Sequence, residues 1–316
     1  NIKLEAQYNS TKASSVFRSG LSLVCELFQK ICLILKSSGN ILNATMFFLL
    51  QLIWDYLREF DDKYRDRRSE NYFLFSPLQV TLTLVAYYVF VKHLGPKLME
   101  NRAAFDLKYV LLVYNAAQVL INSGSLIMAS YYTWLHKPYD RLTCMMPVMD
   151  SNVVGMIELR YSYIYYLLKV FDLADTVFFV LRKRYNQVSF LHVYHHIMIT
   201  VATFIYLRYL PGGHGAVLAL LNLAVHAIMY FYYLISVLRP ELKQSLWWKK
   251  HITHAQIVQF VILFVHFGRA LFDRTCLYPT VALFFGTTQA AIMLVLFCDF
   301  YYKAYLLPNK RKLVKK

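Results

Sequence analysis

Along this chain, apolar residues gather into long, nearly unbroken runs, and most polar residues fall between them. The runs are Ser76–Leu94, Tyr109–Ala129, Tyr161–Leu181, Phe190–Leu207, Ala216–Val237, Ser245–Phe267 and Val281–Tyr302. A helix rises 1.5 Å per residue, so about 20 apolar residues cross the ~30 Å hydrocarbon layer of a bilayer. The pattern predicts seven membrane-spanning helices in one polytopic, all-α integral membrane domain. The fourth run is short and the sixth begins polar, so their ends are the least defined.

The polar residues inside the runs are few and patterned. In the third run stands Lys169-Val-Phe-Asp172-Leu-Ala-Asp175-Thr176. Each charge at a helix centre costs about 2.5–3.5 kcal/mol to insert, so these residues need partners or a function. Lys169 and Asp172 at i, i+3 can pair. The fourth run opens with His192-Val-Tyr-His195-His196, three imidazoles on one helical face. In the fifth, Asn222, His226, Met229, Tyr230 and Tyr233 share a face that should line an interior. The sixth carries Thr253, Gln256 and Gln259. Asn115, Gln118 and Asn122 form a stripe in the second run, which reads as interhelical hydrogen bonding.

Composition agrees with a membrane protein: 58% of 316 residues are hydrophobic and 16% charged, against roughly 25% charged in soluble domains. The net charge of +16 is sorted by loop, which argues against nucleic-acid binding. Seventeen Lys and Arg residues follow the first, third, fifth and seventh runs, and six occupy the alternate loops. The positive-inside rule then places the carboxyl tail in the cytosol and the amino end on the lumenal side. Cys144 and Cys276 fall in two lumenal loops, where oxidising conditions permit a disulfide, and are expected to pair. Cys298 reads as an apolar filler, and Cys25 and Cys32 receive no role.

Residues 1–70 read as an extension of unknown role. Leu21–Leu35 is interrupted by Glu26 and Lys30, as in an interfacial helix, and Ile41–Trp54 is short for a crossing. An eighth span there would reverse the amino end. Asn9 and Asn43 head glycosylation sequons that require a lumenal location. Ser76-Pro77 opens the first span, and Leu94-Gly-Pro-Lys97 is expected to close it. Pro211-Gly-Gly-His-Gly215 reads as a flexible lumenal turn, and the single His93, His136 and His266 as structural.

Three chemistries fit the buried polar faces. The first is metal: a membrane di-iron desaturase or hydroxylase, or a zinc held by His192 and His196 with a third ligand. A di-iron centre needs several histidine boxes, and this chain has one. The second is covalent catalysis, in which a neutral imidazole takes an acyl group from a thioester. His226 would then serve as a second acid/base residue, and Asn222, Gln256 and tyrosines would hydrogen-bond an oxyanion. The third is a seven-helix receptor, or a transporter using Asp175 and His226 as a proton relay.

The assembled motifs closely resemble the very-long-chain fatty acid elongase family, the membrane 3-ketoacyl-CoA synthases. Gln187-Val-Ser-Phe-Leu-His-Val-Tyr-His-His196 resembles its histidine box. Asn222-Leu-Ala-Val-His226-Ala-Ile-Met229-Tyr230-Phe-Tyr232-Tyr233 and Thr253-His-Ala-Gln256-Ile-Val-Gln259 resemble its second and third signatures. The likeness runs from about Ser76 to Tyr301. It implies seven helices, six of them forming a barrel around an acyl tunnel as two inverted three-helix units. It also implies condensation of a long acyl-CoA with malonyl-CoA in the endoplasmic reticulum, giving a 3-ketoacyl-CoA, CoA and carbon dioxide. No metal or redox cofactor is then required. The partners implied are the bilayer and the ketoreductase, dehydratase and enoyl reductase of the elongation cycle, with self-association left open. By the same resemblance His195 is the acyl-accepting nucleophile. His226 assists at malonyl-CoA, and His192, His196, Asp175, Asn222 and Gln256 support geometry and protonation. The family's lumenal disulfide matches Cys144 and Cys276.

Two positions depart from the family pattern. Asp172 stands where the family has glutamate, and Asp299 where it has asparagine. Lys169, Asp172, Tyr230, Tyr233 and Gln259 are assigned to the substrate path. Arg182, Lys183, Lys249 and Lys250 form a basic cytosolic rim for CoA phosphates, although positive-inside topology explains them equally well. The organisation expected is an extension over 1–70, an elongase domain over 71–306 and a basic cytosolic tail over 307–316.

Overall fold

The structure, a computed structural model, describes residues 41–136, 144–241 and 246–307. The expectations for Asn9, Leu21–Leu35, Cys25, Cys32 and the tail beyond Leu307 lie outside these residues. The chain divides into two compact units, Asn1–Arg65 and Asp66–Lys316. In the first, α1 spans Ile41–Tyr64. Its second half carries Asp55, Arg58, Glu59, Asp61, Asp62 and Lys63, and it is not among the helices long and apolar enough to cross a membrane.

In the second unit, α2 begins at Pro77–Val89. Ser76 opens it with a capping box, its backbone N–H donating to the Gln79 side chain, and Pro77 occupies the first turn. The expectation that Leu94-Gly-Pro-Lys97 closes this helix is not met. Phe90–Leu94 widens into a π-turn, and helix resumes over Gly95–Met99, giving one span Pro77–Met99. The π-turn shifts the hydrogen-bond register, with the Gly95 N–H donating to the Phe90 carbonyl. Pro96 then sits in a first turn, where its missing N–H leaves nothing unsatisfied. Glycine is needed at 95 because a Cβ there would lie 2.7 Å from Val180, so its absence lets α2 seat against α4.

The remaining helices are α3 (Lys108–His136), α4 (Val153–Leu181), α5 (Phe190–Tyr209), α6 (Gly215–Leu238), α7 (Leu246–Phe272) and α8 (Thr280–Tyr301). The Asn152 side chain caps α4 and Ser189 caps α5. A second π-turn, Tyr302–Leu306, extends α8. Among the described residues six helices are long and apolar enough to span: α2, α3, α5, α6, α7 and α8. α4 has the length, 29 residues, but carries Lys169, Asp172 and Asp175. The protein is an all-α, multi-pass membrane protein. Its outer faces expose Leu82, Val113, Leu120, Ile127, Phe284 and Val295, a cost in water but none against acyl chains.

α7 packs along α8, α3 along α6 and α4 along α5, with α6 against α7 joining pairs. A disulfide links Cys144, before α4, to Cys276, before α8. The 211–215 turn at this end is packed, contrary to the flexible turn expected. His214 is fully buried, stacks on His266 with ring centroids 4.1 Å apart, and accepts from the Met145 backbone N–H. Gly212 and Gly213 have φ of +86° and +54° and lie against Glu158 and Pro147. The turn residues permit the backbone; the burial makes it rigid.

Candidate active site

Lys169, about half a turn past the midpoint of α4 towards its carboxyl end, is fully buried, and Asp172 is 1% exposed. The ammonium donates to Asp172 Oδ2 at 2.7 Å and to Asn222 Oδ1 at 2.8 Å. It also sits 5.2 Å from the centroid of the Tyr165 ring. Asp172 Oδ1 accepts from Gln118 Nε2 at 2.7 Å and from the Tyr230 hydroxyl at 3.1 Å. The same hydroxyl lies 2.6 Å from Asp175 Oδ2. His226 Nδ1 is 3.4 Å from Asp172 Oδ2 and 3.5 Å from Lys169 Nζ. One buried network therefore ties α3, α4 and α6 together. Lys169 and Asp172 compensate each other where an unpaired ion would cost several kcal/mol, and Asp175 is held by the Tyr230 hydroxyl.

Against this network stands the histidine face of α5. Ser189 caps the helix by accepting from the His192 backbone N–H. The His192 Nε2 lies 2.9 Å from Thr176 Oγ1, and its ring is 4.3 Å from that of His196. His196 is buried, and its Nδ1 has no hydrogen-bond partner. His195 differs. Its ring makes no hydrogen bond among the described residues, and the residue is half-buried. Lys169, His192, Asp172 and His226 all act on it electrostatically, and Phe260 of α7 lies edge-on at 6.4 Å.

The structure thus brings His192, His195, His196, His226, Asn222, Lys169, Asp172, Asp175 and Tyr230 together. Tyr233 packs edge-on to Tyr230. Gln259 is buried on α7, and Gln256 approaches only the Met229 sulfur, at 3.9 Å. The rim residues stand apart from the network, at the ends of α4 and α7. Lys183 donates to the Glu100 carbonyl, and Lys250 lies 6.0 Å over the Tyr301 ring. Gln118 was legible only as one of a polar stripe. Thr176 was quoted at the end of the Lys169 run but given no role, and Tyr87 and Tyr114 were missed, because a tyrosine in an apolar run carries no signal of its own. Among the described residues no three His, Cys, Asp or Glu side chains are grouped to hold a metal ion.

Beyond the network lies a cavity of about 100 Å³, lined by Ser125, Tyr165, Thr203, Leu207, Ala219 and Leu223 among others. Tyr165 is one turn from Lys169, and Leu223 directly follows Asn222 in the chain. The cavity therefore starts where the network stops and runs towards the disulfide end.

A family model described as "ELO: GNS1/SUR4 family" matches residues 73–313. Very long chain fatty acid elongase 7 of Rattus norvegicus is 40% identical over 245 residues, covering 76% of this chain and 85% of the rat protein. The protein of the same name from Drosophila melanogaster is 37% identical over 258 residues, 81% and 78% of the two chains. Very long chain fatty acid elongase 1 of Mus musculus is 35% identical over 254 residues, 77% and 87% of the two.

Proposed function

This chain belongs to the GNS1/SUR4 family, and from that premise we propose that it is a very-long-chain 3-oxoacyl-CoA synthase acting through His195. The observation that carries the reading is the half-buried His195 ring, without a hydrogen bond among the described residues, beside the Lys169–Asp172 ion pair and its partners. A neutral imidazole nitrogen attacks the acyl-CoA thioester carbonyl, the C–S bond breaks, and the imidazole proton leaves with the CoA thiol. The acyl-imidazole retains the chain. Malonyl-CoA then loses carbon dioxide, and its α-carbon forms a bond to the acyl carbonyl as the C–N bond to His195 breaks and the departing ring nitrogen takes up a proton from water. Decarboxylation supplies the carbon nucleophile without a strong base. His226, held by Asp172 and Lys169, stands where the second substrate would be oriented. His192 and His196 support the ring, Asp175 with Tyr230 supports protonation, and the Asn222 and Gln256 amides would turn to donate to the developing oxyanion.

In this reading α4 is the seventh span, and α2–α8 minus one peripheral helix enclose a tunnel as two inverted three-helix units. The cavity beyond Tyr165 and Leu223 receives the acyl chain, and Arg182, Lys183, Lys249 and Lys250 receive CoA phosphates. The box end faces the cytosol and the disulfide end the lumen of the endoplasmic reticulum. There the product would pass to a ketoreductase, a dehydratase and an enoyl reductase. The elongase domain covers 71–306, flanked by the 1–70 extension and the 307–316 tail.

Purified protein given labelled long-chain acyl-CoA alone should release one CoA per active molecule and hold a hydroxylamine-labile acyl group. Adding malonyl-CoA should then yield carbon dioxide and the 3-ketoacyl-CoA. His195→Ala should abolish both steps, by at least about 10³-fold. Normal turnover in that variant would falsify the assignment.

A further inference from the structure

The histidine face is held from one side by a chain of hydroxyls that the catalytic steps above do not use. Tyr87 of α2 lies 2.8 Å from Thr176 Oγ1 of α4, and Thr176 Oγ1 lies 2.9 Å from His192 Nε2 of α5. Tyr87 is 6% exposed and Thr176 fully buried, so water does not compete for either group. These three residues come from three helices. The apolar cluster of Tyr87, Val91, Met99, Leu173, Val180 and Val193 packs the same three helices together.

The chain has a direction. A tyrosine hydroxyl has one hydrogen to donate, and Thr176 is the only hydrogen-bond partner of Tyr87 among the described residues. With Tyr87 donating to Thr176, the Thr176 hydrogen is left for His192. His192 Nε2 is then the acceptor, and the ring proton resides on Nδ1. The reverse direction would leave the Tyr87 hydrogen buried without an acceptor, a cost of about 1–3 kcal/mol in general. Contacts on two further sides fix the ring plane: Phe179 at 5.3 Å and His196 at 4.3 Å between centroids. His196 in turn stands 5.7 Å from His195.

We propose that Tyr87 and Thr176 are positioning residues: their hydroxyl chain fixes the tautomer and plane of His192, and through the His192–His196 contact holds the His195 ring for acyl transfer. The proposal rests on His195 as the acyl acceptor. Neither hydroxyl touches substrate. Removing the Thr176 hydroxyl frees His192 to adopt the other tautomer and to rotate, which loosens His196 and then His195. Acyl transfer slows while acyl-CoA binding persists.

The test compares Thr176→Val, which keeps shape and loses the hydroxyl, with Thr176→Ser, which keeps the hydroxyl and loses a methyl. Tyr87→Phe and the pair Tyr87→Phe/Thr176→Val complete the set, all in the full chain in detergent. Single-turnover acylation by labelled acyl-CoA, steady-state kcat and KM, and the melting temperature are read for each. Thr176→Val should slow acylation and kcat about tenfold with KM for acyl-CoA unchanged. Tyr87→Phe should slow both by about threefold, as loss of one end of a neutral hydrogen-bond chain. Thr176→Ser should restore most of the rate, and the double variant should be no slower than Thr176→Val, because both break one chain.

Normal acylation in Thr176→Val overturns the proposal. So does a Thr176→Ser variant as slow as Thr176→Val at equal melting temperature, since packing alone would then explain the loss. Failure of the parent reading looks different: wild-type protein would turn over without any hydroxylamine-labile adduct. In that event the positioning of His195 for acyl transfer is overturned with it, whatever the variants do to kcat.

Discussion

Among the described residues two polar regions stand between apolar helices, and they use their polar groups differently. At the disulfide end the side chains are bonded mostly to backbone, although Arg68 also forks onto the Asp66 carboxylate. Arg68 donates to the carbonyls of Asp150 and Val148, and Glu158 accepts from the Val148 N–H. His214 accepts from the Met145 N–H, and the Tyr163 and Tyr166 hydroxyls donate to the carbonyls of Phe73 and Leu74. Around Lys169 the side chains are bonded to one another, across α3, α4 and α6. Side chains bonded to backbone satisfy loops that would otherwise be unpaired, and so act as clamps. Side chains bonded to side chains hold an interior charge pattern that no loop requires. The second region is the one to which we assign the chemistry.

Variants that restore packing without restoring the charge pattern are the sharpest way to break this contrast. Lys169→Met leaves Asp172 buried beside an apolar group and should cost about 3–5 kcal/mol of stability together with turnover. Adding Asp172→Leu should recover much of that stability, and turnover should stay lost. Melting in detergent alongside condensation assays reads both. If turnover returned with stability, the network would be another clamp.

Reducing the disulfide end should do the opposite. Cys144→Ser should cost about 2–4 kcal/mol, while the folded fraction keeps its kcat. A kcat that fell in step with the loss of the bond would join the two regions into one functional unit.

A pH titration separates them more gently. Burial, reinforced by the neighbouring His266 ring, pulls the His214 imidazole down from 6.5 to about 4. Between pH 4 and 6.5 the unfolded chain binds a proton at this residue and the folded chain does not. Stability of this end therefore falls as pH drops through that window, by about 1.4 kcal/mol per pH unit, and is unaffected by this group above it. His214→Phe should flatten the slope, as measured by melting temperature against pH. The smallest effect expected is from Tyr163→Phe, which removes one 3.3 Å bond to the Phe73 carbonyl. It should cost about 0.5–1.5 kcal/mol and leave acylation unchanged.

Much of this arrangement was legible along the chain. Apolar runs announced the spanning helices because hydrocarbon demands long, internally bonded segments. Spacing put the three histidines on one face and placed Lys169 within reach of Asp172. Position in the loops suggested partners for Cys144 and Cys276, and the structure joins them. The end of the first span was misjudged because Gly-Pro reads as a stop, whereas a π-turn depends on how α2 seats against α4. The glycine-rich turn at 211–215 looked loose for a similar reason: backbone freedom is written in its residues, but the rings of His266 and Tyr278 that pack on it are far away in sequence.

By itself, then, the sequence determined periodicity, spacing and hydropathy, which are local properties that each helix expresses without its neighbours. Only the tertiary structure decided that Gln118 and Tyr230 meet on Asp172 Oδ1, that Lys169 reaches Asn222, and that Tyr87 and Thr176 line up behind His192. Those pairings join residues on different helices, and two helices meet at particular heights and faces only after packing. Hydrogen bonds reach about 3 Å, so a one-residue shift along any of these helices would dissolve the site while leaving every motif in the sequence intact.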